Sequence, residues 1–288
     1  MTPRPIDHLV LPVAGLAAAR ARLAALGFLV APDAHHPFGT GNACVFFRNR
    51  TYLEPLAFLR PDLVRESIER GLVFVDRLDR FRKTRGEGFA MAAFRSADAE
   101  ADRAAFAAAG FALGDLFHFS RMATRPDGSR YEIGVALAFA ADERAPHATV
   151  FACQPIGETV NTGTSFVDHP NTATGVTGFA GVAANPADFH VYLEAATGER
   201  ELRCTSLGVE ARTGCGSVRV LTPIGYEARF GVSPPDPGDG LLLAAIEIDA
   251  ADPVSVERHA GAAARRHGGL LVVPPAPGLG ALVAFGAA

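Results

Sequence analysis

One pattern of apolar and polar positions recurs along the chain: an apolar strand, an Ala-rich amphipathic helix closed by glycine, then further strands. The first copy predicts a strand from Ile6 to Val13 and a helix from about Leu16 to Leu26. Leu16, Leu23 and Leu26 fall on one face of that helix, and Gly27 suits the left-handed position that ends it. The second copy predicts a strand from Phe89 to Arg95, Ser96 as N-cap, and a helix through Ala109. Ala25-Leu26-Gly27-Phe28 aligns with Ala108-Ala109-Gly110-Phe111 at a shift of 83. The third copy has a strand from Gly178 to Ala184 and the pair Asn185-Pro186, a cap followed by proline at the first helical position. Its helix carries Phe189, Tyr192 and Leu193 and stops near Gly198. The fourth has a strand from Leu241 to Ile248, the cap Asp252 before Pro253, and a helix to about His267.

Shorter apolar runs lie between the helices. Ala43–Phe47 and Thr51–Phe58 follow the first helix. Phe117–Thr124 and Arg130–Phe139 flank the turn signal Pro126-Asp127-Gly128, in a register that sets Arg121 opposite Glu132. Leu202–Val209 and Val218–Thr222 complete the third copy, and Leu270–Val273 and Ala281–Phe285 the fourth. Each copy reads as βαβββ, and the fold class as α+β. Residues 59–87 read as a charged helical linker, 155–176 as a polar domain boundary, and 233–240 as a Pro/Gly-rich joint. Two copies per domain give an N-terminal domain over 1–155 and a C-terminal one over 156–288.

Composition narrows the classes. The 288 residues are 49% hydrophobic and 20% charged, which suits a folded chain rather than a disordered one. A net charge of −4 lacks the basic excess of nucleic-acid binders. No run of about 20 apolar residues predicts a membrane span, and Met1 to His8 has no apolar signal stretch. Cys44, Cys153, Cys204 and Cys215 are scattered without a CxxC pair, which predicts reduced thiols in a cytoplasmic protein.

Ile6-Asp7-His8-Leu9-Val10-Leu11 opens the first unit, and Tyr52-Leu53-Glu54 stands on its last strand. Together with His36-Pro37-Phe38-Gly39-Thr40-Gly41-Asn42, Phe117-His118-Phe119-Ser120-Arg121, Val150-Phe151-Ala152-Cys153-Gln154 and His169-Pro170-Asn171, these segments resemble the vicinal oxygen chelate superfamily, and within it the glyoxalase-like domain proteins. The resemblance implies four βαβββ modules paired into two domains of the glyoxalase/bleomycin-resistance type. It also implies a divalent metal in the concave face of a module pair, with ligands from first and last strands.

The resemblance assigns His8 and Glu54 as ligands from the first module. The shift of 83 sets Met91 opposite His8, a departure from the pattern, and Cys153-Gln154-Pro155 against Leu53-Glu54-Pro55 makes Gln154 the third ligand. A buried amide that satisfies backbone groups is the other reading of Gln154, and core or pocket wall that of Met91. The expected metal is Mn, Fe, Ni or Zn, or none. Glu54 and His8 are the expected catalytic residues, as base and as polarising group. His36, Asn42, Met91, His118 and Arg121 are the expected substrate contacts, with Phe38, Phe47, Phe89, Phe117 and Phe119 as aromatic lining. Arg121 facing Glu132 as an ordinary ion pair is the alternative to an anion clamp.

In the second half, Phe179 takes the place of His8 and Thr222 falls near that of Glu54, so the C-terminal domain reads as degenerate. The implied function is metal-assisted isomerase or lyase chemistry on a small oxygenated molecule. The alternative is a metal-free protein that binds drugs or aromatic compounds. The expected partner is a small molecule, not nucleic acid or a membrane, and the resemblance also allows a homodimer.

Overall fold

The computed structural model describes residues 3–124, 128–157 and 166–287. The first module supplies β1 (Ile6–Pro12), α1 (Leu16–Ala25), β2 (Ala34–His35), β3 (Thr40–Asn42), β4 (Val45–Phe46) and β5 (Tyr52–Phe58). Two helices, α2 (Pro61–Glu69) and α3 (Val73–Arg85), lead to the second module. That module comprises β6 (Met91–Arg95), α4 (Ala99–Ala108), β7 (Ala112–Thr124), β8 (Arg130–Ala140) and β9 (Thr149–Gly157). These strands form one sheet in the order β2-β3-β5-β1-β6-β9-β8-β7, with β4 also paired to β5. β1 runs parallel to β5 and antiparallel to β6, which runs parallel to β9. Two like units therefore meet edge to edge at their first strands.

The second half repeats the plan. It contains β10 (Ala173–Ala183), α5 (His190–Thr197), β11 (Arg203–Thr205), β12 (Gly208–Thr213), β13 (Gly216–Leu221) and α6 (Pro223–Phe230). β14 (Leu241–Ala250), α7 (Pro253–Ala260), β15 (Arg265–His267), β16 (Leu270–Val273) and β17 (Leu282–Ala287) follow. Its sheet runs β11-β12-β13-β10-β14-β17-β16-β15. The architecture is mixed α+β with two sheets, each a pair of modules, as the repeat predicts.

Several local expectations are corrected. The N-cap of α4 is Asp98, whose carboxylate accepts from Ala101 N at 3.0 Å, while Ser96 Oγ accepts from Asp98 N. Helix α7 stops at Ala260, and residues 265–267 pair as β15 with β16. The run 202–209 divides into β11 and β12, which pair with each other. In the β7–β8 ladder Arg121 lies opposite Ile133, one position from the expected partner, and the hairpin residues 125–127 lie outside the described residues.

Strand alternation sorts the first sheet into two faces. Leu9, Leu11, Leu53, Ala92 and Phe94 enter a core shared with Phe179, Ile246, Ile248 and Phe285 of the second half. Phe89 meets Phe179 edge to face at 5.4 Å, and Phe28 stacks on Phe285 at 5.9 Å. The opposite face, with Val10, Leu56, Met91, Ala93 and Phe151, is covered by Val64 of α2 and by Phe74, Val75, Leu78 and Phe81 of α3. That cover leaves a cavity beside His8. The second sheet differs: α6 sets Tyr226 and Phe230 on Ala180, Val182, Ala245 and Leu282. Beside them Glu247 bridges Arg219 at 2.8 Å and also binds Arg229, so this face is filled by packed rings and paired charges. Phe179 points to the shared core, not to the face that carries His8 in the first sheet, and Thr222 caps α6 through Gly225 N at 3.0 Å. Among the described residues no helix is long and apolar enough to cross a membrane.

Candidate active site

The cavity has a volume of about 380 Å³ and opens on the face of the first sheet that α2 and α3 leave bare. Its polar groups come from short, unlike pieces of chain. β1 gives Asp7 and His8, β5 gives Tyr52 and Glu54, and the turn before β5 gives Arg50. His36 follows β2, Asn42 ends β3, and Arg95 ends β6. Phe46, Phe74, Phe119, Phe151, Ile133, Val135 and Leu137 form the apolar wall, with Cys44 and Cys153 among them.

A chain of polar contacts crosses its floor. Arg95 Nε donates to Asp7 Oδ1 at 3.2 Å, and Asp7 Oδ2 stands 2.8 Å from His8 Nδ1. His8 Nε2 is 3.6 Å from Glu54 Oε2. Glu54 Oε1 accepts from Asn42 Nδ2 at 2.6 Å, and His36 Nε2 stands 4.0 Å from the same oxygen. His36 Nδ1 in turn meets Thr40 Oγ1 at 2.8 Å. His8, His36, Asn42 and Glu54 are all buried.

The electrostatics follow from burial and neighbours. Burial by itself raises the Asp7 carboxyl, but the hydrogen bond and charge of His8 and the charge of Arg95 outweigh it and hold the group below the usual carboxylate range. An ionised Asp7 only accepts, so His8 donates from Nδ1 and turns Nε2 toward Glu54. The His8 ring lies flat on Tyr52, centroids 4.3 Å apart, and Phe151 closes its edge at 5.4 Å. Burial, then the charges of Asp7 and Glu54, push the Tyr52 phenol well up, and the same causes push up the Cys153 thiol. Both stay neutral near pH 7, so Cys153 is no thiolate nucleophile.

The sequence profile described as a glyoxalase-like domain matches residues 6–197. The chain belongs to the glyoxalase-like domain family. Solved structures agree on the fold. A hypothetical protein from Staphylococcus aureus matches at a TM-score of 0.68 and 12% identity, over 98% of each chain. A mutant of 4-hydroxymandelate synthase from Streptomyces coelicolor matches at 0.60 and 15%, over 100% of this chain and 94% of that one. The Mn(II)-bound glyoxalase from Novosphingobium aromaticivorans matches at 0.55 and 10%, over 98% and 82%. No curated protein matches by sequence.

In this glyoxalase-like chain the expected residues divide. His8, Glu54, His36 and Asn42 meet in the cavity. Gln154 does not: its Oε1 accepts from Ala99 N at 2.9 Å, at the start of α4 on the other face of the sheet. The position of β9 that faces His8 is Cys153, one residue earlier. Met91 is fully buried among Val10, Phe74 and Leu78, outside the cavity lining. His118 is exposed, on the face of β7 opposite Phe119. The Arg121 side chain lies outside the described residues. Of the five expected rings only Phe119 lines the cavity; Phe38 and Phe117 stand behind it, and Phe47 and Phe89 lie in the shared core.

The sequence reading missed Asp7, Arg50, Tyr52, Arg95, Phe46, Phe74, Phe151 and Cys153. Alternation along β5 carried the signal for Tyr52, two positions before Glu54. A β-bulge hides Asp7, because the ladder to β6 slips between Ile6 and His8.

The donor set fits a divalent ion. Two donors each about 2.1 Å from one ion stand about 3–4 Å apart, the spacing of His8 Nε2 and Glu54 Oε2. A carboxylate behind the other ring nitrogen is the usual support for a metal-bound histidine. Asp7, His8 and Cys153 also offer donor atoms within 4.8 Å of one another.

Proposed function

We propose that this cavity binds a small oxygenated molecule and acts on it as a metal-assisted isomerase or lyase. His8 and Glu54 would hold the divalent ion (Mn, Fe, Ni or Zn). One observation carries the reading: His8 Nε2 and Glu54 Oε2 face each other 3.6 Å apart, too far for a hydrogen bond. When bound, the ion supplies Lewis acidity toward a substrate oxygen.

The chain's own residues do the rest. Asn42 holds Glu54 Oε1 and so aims Oε2 at the space beside His8. Glu54 takes a proton from a carbon next to a carbonyl and returns it to a neighbouring atom. Asp7 and Tyr52 fix the plane of His8. Phe74, Phe119 and Phe151 keep water from the reacting atoms. The Mn(II)-bound state of the Novosphingobium glyoxalase, which shares the fold, supports a metal here. Catalysis belongs on this reading to residues 1–155, and 156–288 give support. The four cysteines, none of them in a disulfide among the described residues, suit a reducing, cytoplasmic setting.

Elemental analysis tests this on protein purified without chelator. About one equivalent of Mn, Fe, Ni or Zn is expected in the native chain, and little in His8→Ala. The apolar wall of Ile133, Val135, Leu137 and Phe119 favours a second reading, a metal-free binder of aromatic compounds. A native chain without metal that binds such compounds equally well with and without His8 decides for that reading.

A further inference from the structure

Arg50 stands at the cavity mouth in a backbone conformation that its residue type rarely adopts. Its φ is +69°, in the left-handed region where glycine or asparagine is usual. The turn that holds it is tightly built. Arg50 N donates to Phe47 O at 3.1 Å, and Phe47 N donates to Thr51 O at 3.0 Å. Asn49 Oδ1 accepts from Thr51 N and Thr51 Oγ1. The second half of the chain pins the turn from outside: Asn49 Nδ2 donates to Val176 O at 3.0 Å, and Val176 N donates to Thr51 Oγ1 at 2.9 Å.

Arg95 completes the rim. Its Nη2 donates to Arg50 O at 2.9 Å while its Nε holds Asp7. Arg95 is thus neutralised by Asp7. Among the described residues the exposed Arg50 guanidinium has no hydrogen-bond or ion-pair partner. A strained residue held by surrounding structure, with an unmatched charge over a cavity, is the pattern of a ligand contact rather than of packing.

We propose that Arg50 selects substrates carrying a carboxylate, taken at the cavity mouth while an apolar body lies against Phe46 and Phe119 and the oxygenated end reaches His8 and Glu54. This rests on the site reading above and adds the substrate class to it. The β10 strand of the second half then has a defined task. It holds the turn that carries the selecting cation, although its own sheet face is filled.

The test compares 3-phenylpropionate with its primary amide, equal in shape and different in charge, by calorimetry or ligand-observed NMR. The native chain is expected to bind the acid at least about tenfold more tightly than the amide. Arg50→Gly removes the cation and suits the left-handed backbone, so the fold is kept. It is expected to lose the preference for the acid while binding the amide as before, and Arg50→Lys to keep most of it. Metal content of Arg50→Gly is expected to equal that of the native chain. Equal binding of the two probes by the native chain, or a preference that survives in Arg50→Gly, overturns the anion assignment and leaves the metal reading standing. Failure of both probes to bind overturns the assignment of this cavity as the ligand site as well.

Discussion

Asp7 and His8 are neighbours in β1, yet both line the same cavity, and Asp7 Oδ2 stands 2.8 Å from His8 Nδ1. Successive residues of a regular strand point to opposite faces. The bulge between Ile6 and His8 breaks that rule and brings a carboxylate behind the imidazole.

Asp7→Asn removes the negative charge and leaves one acceptor oxygen where Arg95 Nε and His8 Nδ1 use two, so the imidazole loses its anionic support while His8 and Glu54 stay in place. Loss of such a support costs about 10–100-fold in metal affinity. We expect a fall of that size for Mn(II) or Zn(II), measured by calorimetry, with the far-UV spectrum unchanged. Native affinity in Asp7→Asn would remove Asp7 from any positioning role.

Gln154→Ala is expected to weaken the fold and spare the site. Its carbonyl oxygen satisfies Ala99 N at the open end of α4, beside the Asp98 cap. Loss of a capping acceptor costs about 0.5–2 kcal/mol. Urea denaturation should show that loss, with metal content as in the native chain. A variant that instead loses metal would return Gln154 to the ligand set.

His169 ties the two halves together: Nδ1 accepts from Leu29 N at 3.0 Å and Nε2 donates to Phe46 O at 2.9 Å. Burial lowers its pKa to about 4, against the hydrogen bond to Phe46 and the charge of Asp168, which raise it. Between about pH 6.5 and 4 the unfolded chain binds this proton and the folded one does not, so stability falls as pH falls through that window. The full effect is on the order of 3 kcal/mol. His169→Gln can donate and accept in the same places without titrating. Its stability is expected to fall less than the native chain's between pH 7 and 4.5, and parallel curves would refute the assignment.

Gly27→Ala is expected to destabilise strongly. Gly27 has φ +80°, and an added Cβ would lie 2.7 Å from His259 Cγ and 2.8 Å from Asn171 Cβ. Backbone strain and the clash together predict a loss of about 2–4 kcal/mol. A midpoint shift below a few degrees would mean that the two halves part easily at this contact.

Much was readable from residue order alone. The four strand–helix–glycine units and the caps Asp252 and Gly27 follow from local periodicity and turn chemistry, and the pairing of His8 with Glu54 follows from the family resemblance. Each of these signals lies within one element or one module. Gln154 shows where such reading stops. Strand side chains alternate with period two, so an alignment offset of one residue sends Gln154 to α4 and leaves Cys153 at the cavity. The same parity sets Phe179 in the shared core and His118 on the exposed face. Tertiary structure alone decided that a bulge turns Asp7 inward, and that β10 clamps the turn of Arg50. It also decided that α6 fills one sheet face while α2 and α3 leave the other partly open. These depend on contacts between residues far apart in the chain, and no local pattern of apolar and polar positions records which distant surface a segment will meet.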